Sequence, residues 1–147
     1  MAQEPAPIVV GIDGSEDGLQ AVRWAAREAA LRGHALRIVH AFIWPMMNVP
    51  LGPSPVGPQE GGLRHEAEGF VGEAIALARS TAPDVAITGD IVTGSAVPTL
   101  VDESHHAELV VVGSRGLGGF SGLLVGSVGV GTAAHASCPV VIVRGVP

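Results

Sequence analysis

Five short β-branched runs alternate with helical patterns along this chain, and that alternation limits its fold more than any other feature. The runs are Ile8-Val9-Val10-Gly11-Ile12, Leu36 to Ala41, Val85 to Val92, Leu109-Val110-Val111-Val112 and Val140-Val141-Ile142-Val143. Two of them are almost continuously apolar, as expected for strands covered on both faces. Between the runs, Leu19, Val22, Ala26 and Ala29 recur at one-face spacing after Ser15, a good N-cap residue. Leu63, Ala67, Phe70, Ala74 and Leu77 form the cleanest amphipathic stripe. A shorter pattern, Val97, Leu100 and Val101, follows Ser95, and a last helix is expected from about Ser127 to Ala136. The order β-α-β-α-β-α-β-α-β predicts a parallel α/β sheet with helices on both faces. One segment resists it: between Trp44 and Pro58 stand five prolines. That segment reads as a surface loop, either a plain linker or a lid over a site.

Composition narrows the chemistry. The chain has 147 residues and its eight cationic side chains are all arginine. Without lysine there is no Schiff-base amine, no Walker-type phosphate loop and no protein-kinase ATP lysine. A net charge of −6 argues against a nucleic-acid backbone binder. The length predicts a single domain over 1–147. No apolar run approaches the ~20 residues of a membrane span. The N-terminus carries no signal-peptide pattern, and a lone Cys138 leaves no intramolecular disulfide, so a reducing cytoplasm is expected.

The stretch that carries chemistry lies between the fourth run and the last helix. It fits Gly-x2-Gly-x9-Gly-Ser, with Gly113, Gly116, Gly126 and Ser127 in the fixed positions. Gly113 ends a strand and Gly126-Ser127 opens a helix. Glycines let backbone N–H groups approach a ligand closely, and a helix N-terminus adds free donors and partial positive charge. Arg115 adds a guanidinium suited to phosphate. Ser127 offers a hydroxyl to a phosphate or a metal. A plain glycine-rich turn is the alternative. A second string, Gly129 to Ala134, loosely fits a dinucleotide fingerprint. It sits inside the last helix rather than after a strand, so its two glycines read as a cost to that helix of roughly 1 kcal/mol each.

These residues resemble the universal stress protein family, in its ATP-binding branch. The resemblance rests on Val9 to Ser15, on Val39-His40-Ala41, on the glycine run at 113–127 and on His135 to Arg144, and so spans nearly the whole chain. It implies an open five-stranded parallel sheet of order 3-2-1-4-5, Rossmann-like, and a homodimer through strand 5, Pro139 to Arg144. Strands 1 and 4 would then flank the topological switch point where open α/β sheets place ligands. The resemblance assigns Asp13 to the nucleotide, where a carboxylate can accept from ribose hydroxyls. The alternative is that Asp13-Gly14-Ser15 only makes a turn and caps the first helix. Ala41 is assigned to the adenine edge. Gly113, Arg115, Gly116, Gly126, Ser127 and Val128 are assigned to the ribose and phosphates, with Gly11, Ser15 and Ser114 in the same nucleotide-binding set. Gly11 departs from the proline common in the family. The implied ligand is ATP with Mg²⁺, and no catalytic residue is assigned.

Other candidates read more plainly. His105 and His106 are adjacent on the third helix and point about 100° apart, so they do not share a metal. His135 and Cys138 have metal-like spacing, but two ligands do not make a zinc site. His40 reads as packing or a local hydrogen bond near the adenine end. Asp84 and Asp90 flank strand 3, away from the expected crevice. Met46 and Met47 read as loop packing. Three function classes follow: a nucleotide-binding regulator of the stress response, an enzyme that hydrolyses ATP slowly or forms an adenylate, and a dimeric interaction module without nucleotide. The chain lacks the His-x-Gly-His and Ser-Gly-Gly-x-Asp-Ser strings of adenylate-forming folds.

Overall fold

The computed structural model describes residues 5–42, 59–114 and 126–144. The elements are β1 (Ile8–Ile12), α1 (Glu16–Arg32), β2 (Leu36–Phe42), α2 (Gln59–Thr81), β3 (Ile87–Thr93), α3 (Ala96–Ser104), β4 (Leu109–Gly113), α4 (Ser127–His135) and β5 (Val140–Val143). All strand pairs are parallel and the order is β3-β2-β1-β4-β5, as the resemblance implied. No described helix is long and apolar enough to cross a membrane.

Period-2 alternation divides the core between the two sheet faces. Ile8, Val10, Leu36, Ile38, Leu109 and Val111 face α1 and α2. Val9, Val39, Val110 and Val112 face α3 and α4, where Leu100 and Val128 meet them. Burying each such Val, Ile or Leu contributes about 1.5–3 kcal/mol. The helix faces differ from the expected stripes. In α1 the buried set is Gly18, Ala21, Val22, Ala25, Ala26 and Ala29, while Leu19 is only partly covered. In α2 the buried spine is Ala67, Val71, Ala74 and Ala78; Phe70 and Leu77 flank it and Leu63 is exposed. Small side chains bring both helices close to the sheet, so alanine wins the central positions and the larger residues take the edges.

Boundaries shift for local reasons. β3 begins at Ile87 rather than Val85, because a turn comes first, with the Val85 N–H donating to the Ala82 carbonyl (3.2 Å). Asp90 therefore lies within β3, not beside it. α3 ends at Ser104, so His105 is its C-cap and His106 follows in the turn. α1 stops at Gly33, whose φ of 73° makes the left-handed cap.

The two α4 glycines have a packing role. Gly129 is buried, and a Cβ on Gly131 would sit 3.0 Å from Val97 Cγ2. Gly131 thus lets α4 lie close against Val97 of α3, which sets a gain against its propensity cost.

Arg37 ties three elements together on the α3 face. It donates to Glu103 of α3 through Nε (2.7 Å) and Nη2 (3.1 Å), and through Nη1 to Asp90 of β3. The bonds to Glu103 push its pKa further up, so the guanidinium stays charged.

Candidate functional site

The crevice is made by the way two central strands part. β1 runs to Ile12 and β4 to Gly113, yet their ladder pairs only Ile8↔Leu109, Val9↔Val110 and Val10↔Val111. Their outer neighbours stay paired further, to Ile12↔His40 on one side and Gly113↔Val143 on the other. The C-terminal ends of β1 and β4 thus separate at the switch point, where consecutive crossovers leave in opposite directions.

On the β1 side the chain turns sharply. Gly14 has φ +88°, and the Ser15 N–H donates to Asp13 Oδ1 (2.9 Å). Ser15 Oγ accepts from the Gly18 N–H (3.2 Å) and caps α1. The turn-and-cap reading of Asp13-Gly14-Ser15 is therefore visible. It leaves room for the other reading at Asp13, since a carboxylate has about four lone-pair sites. Gly11 sits opposite α3: a Cβ there would lie 2.9 Å from Leu100 Cδ1, so this position accommodates the leucine.

On the β2 side, Ala41 is half-buried beside His40. His40 is 8% exposed and its Nδ1 lies 2.9 Å from the Ile12 carbonyl. A carbonyl only accepts, so Nδ1 carries the proton. The ring also meets Phe70 edge-on, with centroids 5.7 Å apart. The local hydrogen bond expected of this histidine is what it makes, and it pins β2 to the end of β1.

On the β4 side, Gly113 lies against the first turn of α1. A Cβ there would be 2.8 Å from the Asp17 carbonyl oxygen, so only glycine fits without a shift. Ser114 is 3% exposed, and its three polar groups meet three elements. Its N–H donates to the Val143 carbonyl (2.8 Å), its carbonyl accepts from the Gly126 N–H (2.5 Å), and its hydroxyl donates to Asp17 Oδ2 (3.3 Å). Gly126 is the N-cap of α4 and brings no side-chain acceptor to it. Ser127 is exposed at the first helical position, and Val128 packs into the α3/α4 core.

The structure thus brings Gly11, Asp13, Ser15, Ala41, Gly113, Ser114, Gly126, Ser127 and Val128 to one end of the sheet. Arg115 and Gly116 lie outside the described residues, as do Met46, Met47 and the proline-rich stretch 45–58. Asp17 escaped sequence reasoning. Its signal was available: an acidic residue in the first turn after an N-cap serine, with the fold's crossover placing it beside β4.

The site fits a polyanion by its donors. A helix N-terminus leaves N–H groups with no intrahelical partner, and α4 has no acidic side chain in its first turn. Among the described residues no group of three or more His, Cys, Asp or Glu could hold a metal ion. A phosphate-bound Mg²⁺ asks for only one or two protein oxygens. Elsewhere, His105 Nδ1 meets Ser137 Oγ (3.1 Å), and burial pushes the Cys138 thiol up from its ordinary value.

The model of the universal stress protein family matches residues 6–144. The chain belongs to the universal stress protein family. A universal stress protein of Mycobacterium tuberculosis is 42% identical over 140 residues, covering 93% of this chain and 47% of that protein. One of Mycolicibacterium smegmatis is 35% identical over 141 residues, covering 94% and 48%. The chain therefore spans about half the length of the curated relatives it matches. A universal stress protein crystallised in complex with cAMP shares 29% identity and superposes with a TM-score of 0.70, over 97% of this chain and 98% of that one.

Proposed function

We propose that this universal stress protein domain binds an adenine nucleotide, ATP with Mg²⁺, in the β1/β4 crevice and acts as a stress-response regulator in the cytoplasm. The observation that carries the reading is the early end of the β1–β4 ladder. It opens a gap with the Asp13 turn on one side and the Gly113–Ser114 junction and α4 N-terminus on the other. A relative of the same fold holds an adenine nucleotide, cAMP.

In this reading Asp13 accepts from the ribose hydroxyls while keeping its bond to Ser15. Ala41 gives backbone groups to the adenine edge, beside His40. Gly11 and Ser15 shape the β1 wall. The N–H groups of Ser127 and Val128 hold phosphate, with Gly126 allowing close approach, Gly113 seating the α1 turn beside the ligand, and Arg115 and Gly116 completing the set. The Ser127 hydroxyl is the oxygen offered to the metal. A second copy pairs through β5. Binding without turnover is assigned, because the motif brings one arginine and no general base.

A thermal-shift titration with Mg-ATP tests this. A site filled at 100 times its dissociation constant adds about 2.7 kcal/mol, so the melting temperature should rise by several degrees. Asp13→Ala and Gly116→Ala should reduce the rise. No shift in the wild type rejects nucleotide binding. Phosphate release above a no-protein control, lost in Arg115→Ala, would establish turnover instead.

A further inference from the structure

Ser114 joins four elements at the rim of the crevice. It follows β4, its backbone bonds β5 and the start of α4, and its buried hydroxyl reaches Asp17 in the first turn of α1. The residue before it is pressed against the same turn, since a Cβ on Gly113 would meet Asp17 O at 2.8 Å and Asp17 C at 2.9 Å. Gly113 and Ser114 together therefore form a seat for Asp17. The N-terminal turns of α1 and α4 stand on opposite sides of the crevice, and Ser114 links them, with its hydroxyl on Asp17 of α1 and its carbonyl on the Gly126 N–H at the start of α4.

We propose that Ser114 and Asp17 are a positioning pair. Their hydrogen bond fixes the start of α4 against the β1–α1 turn and so sets the spacing between the phosphate donors and Asp13. In this proposal the Ser114 side chain serves Asp17 rather than the nucleotide, which departs from the direct contact that the family resemblance implies for Ser114. The proposal rests on the nucleotide reading above. Physically, a hydroxyl that is almost wholly buried must be satisfied, and a carboxylate at a helix N-terminus both accepts its proton and suits the helix dipole. Displacing a helix N-terminus by a few tenths of an ångström misaligns its N–H groups, which weakens them as donors.

The test uses the full chain and Mg-ATP, with affinity read by calorimetry. Ser114→Ala and Asp17→Ala should each weaken binding about three- to tenfold, the range of one net hydrogen bond. The double variant should be no weaker than either single one, because the two act as a unit. Asp17→Asn, which keeps an acceptor oxygen, should retain most of the affinity. Ser104→Ala removes another buried serine hydroxyl, bonded to Val101 O and Ser137 N near the opposite end of the sheet. It should lower stability comparably and leave affinity unchanged. A second measurement needs no ligand. Amide exchange at Gly126, which donates to the Ser114 carbonyl, should quicken about three- to tenfold in Ser114→Ala. Wild-type affinity in Ser114→Ala, additive losses in the double variant, an equal loss in Ser104→Ala, or unchanged Gly126 exchange each overturns the pair. A wild type that binds no ATP overturns the nucleotide reading, and the Gly126 exchange result then decides the pair on its own.

Discussion

Gly14 and Gly33 both hold positive φ, at +88° and +73°, but they stand in different surroundings. A Cβ on Gly14 would lie 2.6 Å from two ring carbons of Phe70, whereas one on Gly33 would meet nothing within 4 Å. Left-handed backbone costs a non-glycine residue about 1–2 kcal/mol, and overpacking adds about 1–3. Gly33→Ala should thus lose about 1 kcal/mol and Gly14→Ala about 2–4 in urea unfolding; equal losses would show that Phe70 gives way. Thr132 offers the opposite case. It is fully buried on α4, and among the described residues its Oγ1 has no hydrogen-bond partner. Thr132→Val keeps the shape and removes the stranded hydroxyl, so the unfolding free energy read from urea titration should rise by about 1 kcal/mol. A fall of that size would reveal a partner. The neighbour of Gly14 was not readable beforehand. Sequence order shows that a turn is needed at Gly14 but not which helix lies beneath it.

At the scale of elements, Arg37 shows what a charge does between strand and helix. Its side chain is 26% exposed and that of Glu103 20%, so their two-point contact is partly shielded from water; Asp90 is 55% exposed. Arg37→Met should cost about 1–2 kcal/mol and Asp90→Asn under about 0.5, measured by denaturation. The raised pKa fixes the sign with pH. A cation stabilised in the fold contributes fully below its ordinary pKa and is lost only as pH climbs through the raised one. Both lie above the working range, so the Arg37→Met loss should be flat between about pH 6 and 9. Strand positions were legible here because β-branched runs are short and bounded by glycine, proline and turn residues. The helix faces were less so. An alanine-rich helix carries a weak amphipathic signal, and the α2 stripe through Phe70 and Leu77 proved to be the shoulder of a buried Ala67–Val71–Ala74–Ala78 spine.

For the whole molecule, the exposed question is the sheet edge. β5 is the last strand of the sheet, its four residues are half-buried, and among the described residues no strand pairs with its outer side. Such an edge invites pairing with another strand. Sedimentation at micromolar concentration should give a dimer, and Ile142→Pro should shift it towards monomer by removing an edge donor, because Pro139 and Val143 bond β4 and the residues between alternate. A wild-type monomer would count against pairing through β5. The curated relatives run to about twice the length of this chain, which makes the partner of this edge the natural point of comparison among them.

The sequence alone determined the element order, the parallel sheet and the end of the sheet where Asp13 and the glycine run would meet. Those follow from local periodicity and from a resemblance spread along the chain. The tertiary structure decided what the residues at that meeting do. It showed that Gly11 makes room for Leu100 and Gly113 for the α1 backbone, and that Ser114 is almost wholly buried and bonded to three elements. It also showed that Asp17 of α1 lies against Gly113 and Ser114. The reason is physical. A glycine in sequence states only that a Cβ is absent, and whether a ligand, a leucine or a helix occupies that space depends on contacts between segments nearly a hundred residues apart.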